Sequence, residues 1–181
     1  MRRSLDLSAP GGTGSSLAGG RTRNAIPTGR ALITDLLLAI AHHLLIFALF
    51  AILVIRAVLI HPGMEAPRIH RVARLDRLYG MTAGLILIVG FSRVFLGAKG
   101  ALFYLGNPVF WAKIIAIAAV GALSVVPTRH LIEWSRAARV DAAFAPPAEA
   151  MRKVRRFIAG EIAVFPLILV FAAAMARGFG L

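Results

Sequence analysis

Four stretches, 36–55, 78–96, 108–126 and 157–176, are apolar over close to the roughly 20 residues that a helix needs to cross about 30 Å of hydrocarbon. This pattern decides the fold class. In lipid each backbone N–H and C=O must bond within its own segment, so spans of this length are helices. The expected fold is all-α, an integral membrane four-helix bundle over residues 31–181. Residues 1–30 are rich in Gly, Ser and Arg, with no apolar periodicity and no apolar middle region of the kind a secretory signal requires, and they are expected to be a disordered tail. The chain is 59% apolar and 16% charged, where soluble domains run near one half and one quarter, about as a membrane protein should differ from them.

The net charge of +13 does not indicate nucleic acid, because the basic residues lie mostly between the apolar runs and no nucleic-acid-binding motif accompanies them. The connections 56–77 and 127–156 carry five and seven Lys or Arg, while 97–107 carries only Lys99 and the C-terminal end only Arg177. The positive-inside bias then puts both basic connections in the cytoplasm of a bacterial inner membrane and both termini in the periplasm, although the tail has five arginines of its own. In the first connection Arg68, Arg71, Arg74 and Arg77 recur every third residue with Ile69, Val72 and Leu75 between them. On a helix this makes a basic stripe beside an apolar one, suited to anionic lipid headgroups. The second connection breaks at Pro146 and Pro147, after which Glu149 suits a first helical turn. Gly80 and Gly84 form a small-xxx-small pair expected to permit close helix packing, and Pro166 is expected to bend the last span.

Counting from the span ends sorts the intramembrane polar groups into two layers. His42 and His43 stand six and seven residues into the first span, Arg93 three from the outer end of the second, and Lys113 five into the third. All four fall in the outer third. At the inner boundary, Glu161 lies four residues into the last span, level with Arg56, Asp76, Tyr79, Arg129 and His130. This inner set has both signs of charge, so it reads as an ion-pair layer in which Glu161 meets Arg56 or Arg77, or as a proton relay through Glu161 with Arg56 and Asp76.

The outer layer differs because its fixed charges are both positive. Asp35 can offset one of them, which leaves a pocket short of an anion. Neighbouring residues on a helix point about 100° apart, so His42 and His43 cannot both face one small site; one is available as a ligand while the other bonds elsewhere. A four-helix bundle can hold haem b between helices on an inward imidazole. His42 or His43 is then the axial or metal ligand, and Arg93 and Lys113 are placed to meet the two propionates. The competing readings are hydrogen bonding across the bundle, a transporter or proton-conducting path through His43, Lys113 and Glu161, and an assembly partner without chemistry. Neither cysteine nor a methionine cluster is present to select soft Cu(I). Expected partners are the bilayer, headgroups at the four arginines, and a redox partner or a second copy, with no nucleic acid.

The segments "AHHLLIFALFAILVIR", "RLDRLYG", "KGALFYLGNPVFWAK" and "MARGFG", in this order, resemble a family of bacterial four-span predicted membrane proteins classed as a domain of unknown function. The resemblance covers about positions 32–181 and implies the architecture without a reaction. More distantly, an early-span histidine with an aromatic-then-lysine opening to the third span is similar to HemJ-type protoporphyrinogen oxidases and CopD-like copper-resistance proteins. The HemJ likeness implies haem held by His42 or His43, with Arg93 and Lys113 as the basic residues. The tryptophan–lysine pattern typical of the HemJ first span is absent.

Overall fold

The computed structural model describes residues 29–96 and 101–180. Most of the N-terminal tail, and Lys99, lie outside the described residues. The elements are α1 (Gly29–Leu59), α2 (Ala66–Leu96), a short α3 (Ala101–Leu105), α4 (Pro108–Val140) and α5 (Ala148–Ala176), with no strand among the described residues. The four long helices are each long and apolar enough to span a membrane. Gly29 and Arg30, read above as tail, are the first residues of α1.

The long helices close into a ring. α1 packs on α2, α2 on α4, α4 most extensively on α5, and α5 back on α1 along the thinnest seam; α1 and α4 face each other diagonally, as do α2 and α5. Large apolar side chains such as Leu44, Phe47, Met81, Ile88, Phe95 and Ile115 are exposed around the outside. A water-soluble monomer does not carry so much contiguous apolar surface. This surface faces hydrocarbon, and the protein is a membrane protein with four transmembrane helices.

The helix ends depart from the expected spans, because much of each basic connection is itself helical. α2 begins at Ala66 and α4 runs to Val140, so only residues 60–65 and 141–147 remain as loops at the basic end. Pro62 cannot extend α1, and Gly63 makes the turn at φ +79°. α4 continues through Pro127, which is buried inside it. Pro147 is the N-cap of α5, with Glu149 in its first turn. The prolonged segments carry apolar residues on one face, and these fill the bundle: Ile69, Val72, Leu131, Trp134, Met151 and Val154 are buried in one core cluster with Ile158 and the loop residues Ile60 and Met64. Ile69 and Val72 are therefore not free to lie in a membrane surface. Arg68, Arg71, Arg74 and Arg77 turn outward.

Opposite the basic end lies the terminal end, where α1 starts and α5 stops. A second, smaller apolar cluster of Val94, Phe110 and Met175 packs there. Asn107 caps α4, its side-chain oxygen accepting from Val109 N at 2.8 Å while its amide donates to the Phe179 carbonyl at 3.0 Å. One buried side chain thus ties the C-terminal turn to the start of α4. Gly180 sits against it at φ +87°, where a Cβ would collide with Asn107 Oδ1. Gly80 and Gly84 do not serve the packing expected of them: both are exposed, with nothing near their Cα hydrogens.

Candidate functional site

Two polar levels interrupt the interior, separated by about 21 Å, the rise of the 14 residues from His42 to Arg56.

The level nearer the basic end draws on all four long helices. Arg56 of α1 and Glu161 of α5 are completely buried, and Asp76 and Tyr79 of α2 nearly so. Arg56 Nη2 stands 2.6 Å from Asp76 Oδ1. Its Nη1 is 3.8 Å from Glu161 Oε2. The guanidinium lies over the Tyr79 ring, 4.6 Å from its centroid. Thr128 of α4 donates its hydroxyl to Asp76 Oδ1 at 3.1 Å. Asp76 therefore holds two close partners, whereas Glu161 has its cation no nearer than 3.8 Å and the Tyr79 hydroxyl beside it. The spacing of Asp76 and Tyr79 on α2 puts both on one helical face. Of the residues expected at this level, Arg77 and Arg129 face outward. His130 leaves the cluster to stack on Trp134 and approach Glu133 at 3.6 Å.

The level nearer the terminal end lies between the two apolar clusters. His42 is half-buried and aims from α1 onto α2, where a Cβ placed on Gly90 would come within 3.3 Å of its Cε1. Its Nδ1 is buried without a hydrogen-bond partner. Arg93 and Lys113 are the two cations whose fields reach this imidazole, and they act on each other as well. Arg93 Nε lies 4.0 Å from Asp35 Oδ1 and has no hydrogen bond. Lys113 places its ammonium 5.3 Å from the centre of the Phe110 ring. Three helices thus bring one imidazole and two cations together, opposed by one carboxylate.

His43 stands apart. It is exposed on the outer face of α1 with Nδ1 2.7 Å from the Ala39 carbonyl of its own helix. The two rings meet edge to face with centroids 6.3 Å apart. Trp111 is half exposed and donates Nε1–H to the Leu105 carbonyl. Among the described residues no three His, Cys, Asp or Glu gather as ligands for a bare metal ion.

Two contributors escape a reading of the sequence. Thr128 looks like an ordinary helix residue until α4 is known to pass through Pro127. Gly90 carries no signal at all, because its use is to clear space for a ring on another helix. Asn107 did have one, an Asn directly before Pro108 at a helix start.

The family described as "Predicted membrane protein (DUF2214)" has a model that matches residues 34–180, from the first turns of α1 to the C-terminal turn. The chain belongs to this family. No curated protein and no solved structure matches it.

Proposed function

We propose that this member of the family binds b-type haem at the level nearer the terminal end, with His42 as axial ligand and Arg93 and Lys113 holding the propionates. The observation that carries the reading is the buried, partnerless Nδ1 of His42 beside two cations, Arg93 with Asp35 at 4.0 Å and Lys113 against the Phe110 ring. Buried polar atoms without partners are uncommon and call for a ligand or a reason. The donor set suits this group: a lone imidazole cannot hold a bare metal ion, but a porphyrin brings four nitrogen ligands of its own and two carboxylates for the surplus cations. The surroundings are small at this depth, with Gly90 on α2, Ala112 and Ala116 on α4, and Ala172 to Ala174 on α5. Bound haem supplies one-electron chemistry, used in electron transfer or in porphyrin oxidation. The chain's own residues hold it, neutralise its carboxylates and keep water away. Transport through His43, Lys113 and Glu161 is served less well, since His43 faces outward and mostly apolar core separates the two polar levels.

The test is the visible spectrum of the full chain purified from haem-replete cells. Wild type and His43→Ala are expected to show a Soret band, and His42→Ala to lose most of it. A colourless wild type, or an undiminished band in His42→Ala, would overturn the assignment.

The basic end is proposed to face the cytoplasm, with both termini periplasmic in a bacterial inner membrane, as the Lys and Arg distribution favours. The four outward arginines then meet anionic headgroups. Two of them, Arg68 and Arg71, line a cavity of about 270 Å³ with His61 and Glu65. The chain has no cysteine, so single Cys labels report orientation without background. In intact cells an impermeant maleimide is expected to label Phe179→Cys but not Ala142→Cys; the reverse pattern inverts the topology.

A further inference from the structure

The cluster around Arg56 contains one more acid than it has cations. It is lined by Arg56 from α1, Asp76 and Tyr79 from α2, Thr128 from α4 and Glu161 from α5. With both acids ionised it carries a net charge of −1, out of reach of water, and an unpaired buried ion costs several kcal/mol. The two acids are not equivalent. Asp76 lies 2.6 Å from Arg56 and accepts from Thr128, whereas Glu161 is 3.8 Å from Arg56 and has the neutral Tyr79 hydroxyl as its other partner. Neutrality is reached with the fewest broken contacts when one proton rests on Glu161.

A cleft approaches that acid from outside, lined by its neighbours in the chain. This cleft, of about 140 Å³, opens at the thin α1–α5 seam, lined by Ala57, Arg155, Ile158, Ala159 and Ile162. Ala57 adjoins Arg56, and Ile158 and Ile162 flank Glu161 along α5. Ala159 and Arg155 are exposed at its mouth on the side of the basic end.

We propose that Glu161 is a proton-binding site of the bundle, a neutral carboxylic acid that exchanges its proton with water at the basic end through the α1–α5 cleft. Uptake converts the carboxylate to the acid, with the proton drawn from that water. Release returns it by the same path, and Asp76 keeps Arg56 throughout. The site is independent of haem and lies at the other end of the molecule from the haem level.

Infrared spectroscopy of the full chain in lipid nanodiscs at neutral pH tests this. Of the other six acids, Asp35, Glu65, Glu133, Asp141 and Glu149 lie outside the cluster, and Asp6 falls outside the described residues. Wild type is expected to show a carboxylic-acid carbonyl band that shifts in D2O, and Glu161→Gln to lose it. Asp76→Asn is also expected to lose it, because Arg56 is then free to pair with an ionised Glu161. Ala159→Trp, which fills the mouth of the cleft from an exposed position, is expected to slow the deuterium shift. Absence of the band in wild type, or its persistence at full strength in Glu161→Gln, overturns the proton site. An unchanged exchange rate in Ala159→Trp overturns the route.

Discussion

Replacing Arg56 by leucine is expected to cost about 3–5 kcal/mol of stability, the range for stripping a buried charge of its partner. The loss comes from Asp76, not from the vanished arginine. With the guanidinium gone, Asp76 keeps only the Thr128 hydroxyl at 3.1 Å, and a single neutral donor does not replace a cation at 2.6 Å. The double variant Arg56→Leu, Asp76→Asn removes both charges and is expected to recover most of the loss, since neutral groups of similar size replace a buried pair at little cost. Denaturant-driven unfolding in mixed micelles, followed by helical circular dichroism, measures both variants and the coupling between them. If the double variant is as unstable as the single losses summed, the pair is not what joins α1 to α2 at this depth. Lysine at position 56 is expected to rescue only in part, because an ammonium cannot span Asp76, Glu161 and the Tyr79 face as a planar fork does.

The spans were readable because length and apolarity alone distinguish a membrane helix, and each run supplied both. Their true ends were not, for two physical reasons. The segments 66–77 and 127–140 alternate arginine with apolar residues, which reads as a surface connection until a neighbouring helix claims the apolar side. A proline at 127 looks like a terminus, yet within a packed bundle the lost bond is tolerated. Counting depth placed Arg56, Asp76, Tyr79 and Glu161 at one level, because a helix rises by a constant step. Which of His42 and His43 turns inward could not be counted, since it depends on the rotation of α1 and hence on its partners. The outward faces of Gly80 and Gly84 have the same origin: spacing identifies a stripe, and only packing says what it meets.

Trp134→Ala is expected to be the most damaging truncation of an apolar side chain, at about 3–5 kcal/mol. Trp134 is almost fully buried, stacked on His130, in a core section whose helices carry Arg68, Arg71, Arg136, Arg139, Arg152 and Lys153 on their outward faces. So many exposed cations place this section beyond the hydrocarbon, where unfolding exposes the indole to water and the hydrophobic effect acts in full. Phe165 offers the contrast. It is equally buried, 5.0 Å from Phe50 between α5 and α1, but its unfolded surroundings are lipid tails, as apolar as the core, so that only packing is lost. Phe165→Ala is therefore expected to cost markedly less. Equal losses, or the reverse order, would show that the helices are held together within the membrane rather than at the basic end. The expected order means that the bundle is clamped where water drives its packing. The half nearer the terminal end, with its glycine, alanines and loosely partnered His42, Arg93 and Lys113, is then left free to open for a ligand without the helices coming apart.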